Sequence, residues 1–157
     1  MSQIHQPVIL IIDDQPQLSR VFGKMLRQQG HSVVPATSAM DALDKVESVS
    51  TAVALVSMAL TDSNGADLIR QILAVSPETV CIALATESSA AEAVSALDAG
   101  ALDYFLRPIT DWSRFNHLIR QSMSVWEQSC ELSALRVRMK KLQALRDHTG
   151  FFNIKGN

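Results

Sequence analysis

Cysteine is scarce in this chain, and long apolar runs and a strong excess of one charge are missing altogether. Each absence closes a class of function. Cys81 and Cys130 stand far apart with no C-x-x-C spacing, so neither a disulfide framework nor a zinc site is indicated. Inert thiols in a reducing, cytoplasmic setting are the expectation. No apolar run approaches the ~18 residues of a membrane span, so no membrane contact is expected. The opening Met1-Ser2-Gln3-Ile4-His5-Gln6-Pro7 has no basic stretch and no long apolar core, and does not read as a secretory leader. The formal net charge of −2 leaves no basic footprint, and nucleic acid is not expected as a partner.

What is present fits one globular domain with an appendage: 157 residues, 47% of them hydrophobic. The charge is uneven. Residues 1–122 hold 8 Lys and Arg against 13 Asp and Glu, and residues 123–157 hold 6 against 3. An acidic domain followed by a mildly basic segment is implied.

Val8-Ile9-Leu10-Ile11-Ile12 reads as a strand buried on both faces. Asp13-Asp14-Gln15-Pro16 follows, and Pro16 suits the first turn of a helix. Leu18, Val21, Phe22, Met25 and Leu26 recur at helical spacing, and Gly30 is the expected residue just past the helix end. Residues 31–35 read as a weaker strand, with Pro35 marking its end or an edge position. Residues 39–48 carry Ala42, Leu43 and Val46 as a modest helix, and 52–57 form a third strand. A helix over 65–75 turns Leu68, Ile69, Ile72 and Leu73 inward and stops at Ser76-Pro77. A strand over 79–85, an alanine-rich helix over 88–97 and a short strand over 102–106 complete the series. Five β-then-α units with short connections imply a parallel sheet with helices on both faces. Functional groups in such folds gather at the carboxyl ends of the strands. That places Asp13, Asp14, Ser57, Thr86 and Arg107 at one edge.

Asp111 can cap the last helix, and no Pro or Gly recurs until Gly150. Phe115, Leu118, Ile119 and Met123 supply a sheet-facing stripe. Beyond it Val125, Gln128, Leu132, Leu135, Met139, Leu142, Arg146 and Thr149 alternate steps of three and four, an a/d seam. Its good part runs from Leu132 to Leu142, and Gln128 and Arg146 weaken it. So long a helix is expected to project and to seek a partner, making a homodimeric parallel coiled coil or helical pair through Val125, Leu132, Leu135, Met139 and Leu142, with an isolated projecting helix as the alternative. The expected organisation is a domain over 7–122, a helical, coiled-coil linker over 123–149 and a tail over 150–157.

Four motifs now stand in order: Ile11-Ile12-Asp13-Asp14 closing the first strand; the turn with Gly65 after the third; Ala85-Thr86-Glu87 closing the fourth; and Gly100-Ala101-Leu102-Asp103-Tyr104-Phe105-Leu106-Arg107-Pro108 around the fifth. Together they resemble the receiver domain of bacterial two-component response regulators, the CheY-like fold, over about residues 7–122. The resemblance implies an α/β, flavodoxin-like (βα)5 doubly wound parallel sheet in strand order 2-1-3-4-5 with an extended C-terminal helix. It also makes Pro108 a candidate for a cis peptide bond. The stretch from Ala83 to Ile119 looks like the receiver of RssB-type regulators, which act in sigma-factor control. That implies either the N-terminal part of a larger sigma-factor or stress regulator, or a stand-alone protein.

Counting back eight residues from Gly65 reaches the position where receivers place their phosphoacceptor aspartate; here it is Ser57. The position four later, usually proline, is Thr61, and the lysine position before Pro108 is Arg107. Asp13 and Asp14 match the acidic pair that holds a divalent metal. Thr86 and Tyr104 match the hydroxyl and aromatic positions that couple phosphate to the face formed by the fourth helix, fifth strand and fifth helix. A serine hydroxyl cannot form an acyl phosphate and is a poor nucleophile near neutral pH without a base beside it. A Mg²⁺ site loses one carboxylate, which leaves at most weak binding at Asp13 and Asp14, so no cofactor is required. Arg107 keeps the positive charge but not the lysine geometry, and is expected to pair with Asp13 or Asp14 in the space of the ion.

Plainer readings stand beside these. Asp13 and Asp14 suit a helix N-terminus, Thr86 a satisfied strand-end hydroxyl, and Tyr104 an amphipathic ring at the surface. Trp112 and Trp126 read as helix packing, and Arg136, Arg138, Lys140 and Lys141 as a solvated helix face. The favoured function is a pseudo-receiver, a phosphorylation-independent module for protein interaction and dimerisation in signalling. The alternative is a regulator switched by kinase modification of Ser57 or by residual metal binding. An enzyme with a Ser57 nucleophile is disfavoured, since no G-x-S-x-G elbow surrounds it.

Overall fold

Strands that are aliphatic on both sides need cover on both faces, and helices supply it. The computed structural model describes residues 6–86 and 90–149. Strands and helices alternate: β1 (Val8–Ile12), α1 (Pro16–Gln28), β2 (Ser32–Ala36), α2 (Ala39–Ser48), β3 (Thr51–Ser57), α3 (Gly65–Val75), β4 (Val80–Thr86), α4 (Ala90–Ala99), β5 (Asp103–Arg107) and α5 (Trp112–Thr149). All neighbouring strands pair in parallel, in the order β2-β1-β3-β4-β5. This is the doubly wound topology the resemblance implied. β2 is an edge strand, where Pro35 is tolerated.

Alternate strand residues serve opposite layers. Leu10, Ile12, Ala54, Val56, Cys81 and Ala83 pack with Ala42 and Val46 of α2, Leu68, Ile69 and Ile72 of α3, and Ala96 of α4. Ile9, Ile11, Val53, Leu55, Ile82 and Leu84 pack with Phe22 and Leu26 of α1 and with Phe115, Leu118 and Ile119 of α5. β3 is buried along its whole length, so its last residue, Ser57, is fixed by two flanking strands and two helical layers.

Helix ends are held by local chemistry. Pro16 opens α1, and Gly30 closes it at φ +92°, with its N–H donating to the Arg27 carbonyl and that of His31 to the Leu26 carbonyl. Those two bonds satisfy the last carbonyls, and the positive φ is one that glycine adopts without strain. Ser38 caps α2 and Asn64 caps α3 by accepting from the N–H of Asp41 and of Ala66. Asp111 accepts from the Arg114 N–H at the start of α5.

One expectation needs adjustment. Val21 does not face the core: it is 54% exposed, and the inward stripe of α1 runs Ser19, Phe22, Gly23, Leu26. Small residues let the helix lie close to the sheet, and that rotation turns Val21 out. The expected start of the alanine-rich helix at Ser88 lies outside the described residues; α4 is described from Ala90 and runs to Ala99. Among the described residues the chain separates into two units, with the division between Trp126 and Glu127. The expected tail, 150–157, lies outside the described residues. In the second unit Leu132, Leu135, Met139 and Leu142 are all half or more exposed on their helix. Among the described residues no helix is long and apolar enough to cross a membrane.

Candidate functional site

The carboxyl ends of β1, β3, β4 and β5 bring together residues that are remote in sequence. Asp13 directly follows β1, Ser57 ends β3, Thr86 ends β4, and Arg107 ends β5, in register with Thr86. All four, with Asp14, line one cleft of about 430 Å³. Tyr104 does not line it. It sits partly buried on β5 beside α4, in a shallow depression with Val94, Leu97 and Leu106.

Arg107 organises the cleft floor. Its Nη1 donates to Asp13 Oδ2 at 2.6 Å and its Nη2 to Ser57 Oγ at 2.7 Å. Asp13 is 2% exposed, Ser57 1%, and the Arg107 side chain 13%. A guanidinium with two nitrogens in a fixed fork can bridge a carboxylate and a hydroxyl in this way, whereas an ammonium is a single point. The other Asp13 oxygen, Oδ1, accepts from the Gln15 N–H at 2.9 Å. Asp14 turns the other way, and its Oδ2 accepts from the Thr61 N–H at 3.1 Å, tying the first strand end to the loop after β3. Of the two partners allowed for Arg107 by sequence, the buried Asp13 is the one engaged. The Ala59 N–H approaches Ser57 Oγ at 3.4 Å. The Arg107–Pro108 peptide bond is cis.

Gly65 sets the approach of α3 to the end of β3. A Cβ there would lie 2.7 Å from Met58 Sδ and 2.8 Å from Met58 Cα. Only glycine allows the helix start to press this closely behind Ser57.

Several contributors carry no sequence signal. The Asp62 carboxylate accepts from the Ala39 N–H at 3.0 Å, which pins α2 to the β3–α3 loop. Glu92 of α4 accepts from the Thr86 N–H at 3.4 Å. The cleft wall is apolar, built from Leu18 and Phe22 of α1 with Ile109 and Trp112. Trp112, Phe22 and Phe115 form an aromatic cluster with centroids 5.5–5.8 Å apart.

A parallel (βα)5 sheet with an acidic pair, a hydroxyl and a cation at its carboxyl edge defines a receiver-class signalling module. The chain belongs to the response regulator receiver domain family, which matches residues 9–119. It is similar to the alginate biosynthesis transcriptional regulatory protein AlgB of Pseudomonas putida, 27% identical over 140 residues that cover 89% of this chain and 31% of that protein. It is also similar to the transcriptional regulatory protein ZraR of Salmonella typhimurium, 29% identical over 116 residues covering 74% of this chain and 26% of that one. The chain therefore spans less than a third of the length of these two relatives. Among solved structures, a CheY-like receiver domain protein from Methanospirillum hungatei superposes with TM-score 0.71 at 24% identity, covering 78% of this chain and 98% of that one. A structure described as adenylate cyclase from Rhodopirellula baltica gives 0.75 at 20% identity, covering 83% and 96%. These two likenesses show the fold alone.

The residues present do not fit the divalent metal that receivers hold. Mg²⁺ wants several hard oxygen ligands in octahedral array. Here both Asp13 oxygens are engaged by Arg107 and Gln15, one Asp14 oxygen by Thr61, and the end of β3 offers a hydroxyl. Among the described residues no three His, Cys, Asp or Glu side chains gather into an ion site, and no histidine lines the cleft to serve Ser57 as a base.

Proposed function

We propose that this receiver is degenerate and works without phosphorylation, as a module for protein interaction and dimerisation in a signalling protein. The observation that carries this reading is the Arg107 fork. One guanidinium occupies Asp13 and Ser57 at once, in the place where a receiver would gather metal and phosphoryl group. With Ser57 in the acceptor position, an acyl phosphate has no carboxylate to form on. The internal ion pair then supplies permanently the charge balance that a metal and phosphate supply transiently.

Output would run through surfaces instead. Val94, Leu97 and Leu106 are 41–58% exposed around Tyr104 on the α4–β5 face, an apolar patch that suits a protein partner. The exposed leucines of α5 support a homodimer. The excess of acidic residues over 1–122 favours protein over nucleic acid as the partner of this domain. The RssB-like stretch, together with relatives several times longer than the match, supports membership in a larger sigma-factor or stress regulator.

Titration of the chain with Mg²⁺ in a calorimeter tests the reading, with no saturable micromolar binding expected. Saturable micromolar binding overturns it. Kinase modification of Ser57 is the competing switch. Arg107 stands ready to receive a phosphate, but the hydroxyl is buried and Asp13 would repel the added charge. Phosphopeptide mapping after incubation with cell extract and ATP is expected to leave residue 57 unmodified, and phosphoserine there would establish that switch instead.

A further inference from the structure

We propose that the second unit of α5 pairs with a second copy of this chain in parallel and in register, with Glu131 of each helix against Arg136 of the partner subunit. The proposal rests on the dimer reading above and adds its register and the charge pairing that selects it.

The seam assigns Leu132 and Met139 to a positions and Leu135 and Leu142 to d positions. The flanking g positions are then Glu131 and Arg138, and the e positions Arg136 and Gln143. All four flanking residues are exposed, as are the four apolar ones. In a parallel pair each g residue meets the e residue five positions later in the other chain. Glu131 thus meets Arg136 on both sides of the seam, two opposite-charge contacts, and Arg138 meets the neutral amide of Gln143.

The antiparallel alternative has a different charge pattern. Overlapping the same four apolar residues requires Leu132 to face Leu142 and Leu135 to face Met139. The flanks then pair g with g and e with e. Arg138 lies against Arg138 and Arg136 against Arg136, two like-charge contacts. Charge complementarity therefore selects the parallel arrangement. Its cost falls at the ends, where Gln128 meets Gln128, a pair of amides able to bond each other, and Arg146 meets Arg146 beyond the last apolar layer. With only four apolar positions per helix the association is concentration-dependent.

Two measurements on the full chain test this. In a Cys130→Ser background, with Cys81 buried in the sheet, Leu135→Cys is expected to form a 135–135 disulfide under mild oxidation. A parallel, in-register pair brings the two d positions within bonding reach, whereas the antiparallel overlap sets Leu135 opposite Met139. Glu131→Arg is expected to weaken the sedimentation dimer by about tenfold, and adding Arg136→Glu to restore it. Both changes keep good helix formers on an exposed face. A native dimer without the 135–135 disulfide, or a charge swap that fails to rescue, overturns the parallel register alone. A native chain that stays monomeric across the concentration series removes the dimer and the register together.

Discussion

Arg107 and Asp13, 94 residues apart in sequence, stand 2.6 Å apart in the fold with the carboxylate almost wholly buried. A buried carboxylate deprived of the cation it is paired with is a costly group. Arg107→Ala is therefore expected to lower stability by about 3 kcal/mol, read as a shift of the urea midpoint at unchanged slope. Arg107→Lys is expected to lose less, because the ammonium keeps the charge and gives up one arm of the fork. A change below about 0.5 kcal/mol for the alanine variant would show that the pair is not holding the site together.

Ser57 accepts one arm of that fork, so on the proposed reading making this chain accept a phosphoryl group should take two changes. Ser57→Asp supplies a carboxylate at the end of β3, and Arg107→Lys withdraws the fork from Asp13. The double variant is expected to bind Mg²⁺ and to acquire a phosphoryl group from acetyl phosphate that hydroxylamine removes. Ser57→Asp alone is expected to do so poorly, since Arg107 would then bridge two carboxylates. Equal phosphorylation of single and double variants would mean the fork is no obstacle.

The close packing behind Ser57 makes Gly65 a sensitive position. Gly65→Ala places a methyl 2.8 Å from the Met58 Cα and 3.0 Å from the Ser57 carbonyl oxygen, and backbone must move to admit it. A loss of about 2 kcal/mol is expected. Amide shifts in an NMR spectrum should centre on residues 57–59. Shifts confined to α3, with stability unchanged, would show that the methyl is accommodated elsewhere.

Burial pushes the Cys81 thiol from its ordinary 9.0 up to about 12. The folded state favours the neutral thiol, so that contribution to stability is fully present below pH 9. It is lost as pH rises from about 9 towards about 12. Cys81→Ala should flatten the alkaline arm of a stability-against-pH curve. At pH 8.5 iodoacetamide is expected to modify Cys130, which is only partly covered, and to spare Cys81 in the folded chain. Equal modification of both under native conditions would contradict the burial.

Much of the fold was legible because each strand is a short aliphatic run and the helices are punctuated by Pro16, Gly30 and Ser76-Pro77. The spacing back from Gly65 located Ser57, and alternation of elements located the carboxyl edge. Other features depend on three dimensions. Ser19 and Gly23 look like surface residues by type, yet they face the sheet because α1 packs closely there. Asp62 looks like an ordinary loop acid, yet it caps a helix 23 residues away. That Arg107 takes Asp13 instead of Asp14 follows from which carboxylate the sheet buries, and adjacent aspartates in a sequence do not reveal that.

The most direct test is the intact mass of the purified native chain after incubation with acetyl phosphate and Mg²⁺, beside the Ser57→Asp, Arg107→Lys variant. The native chain is expected to keep its mass while the variant gains a phosphoryl group. A hydroxylamine-sensitive phosphoryl adduct on the native chain would contradict phosphorylation-independent signalling.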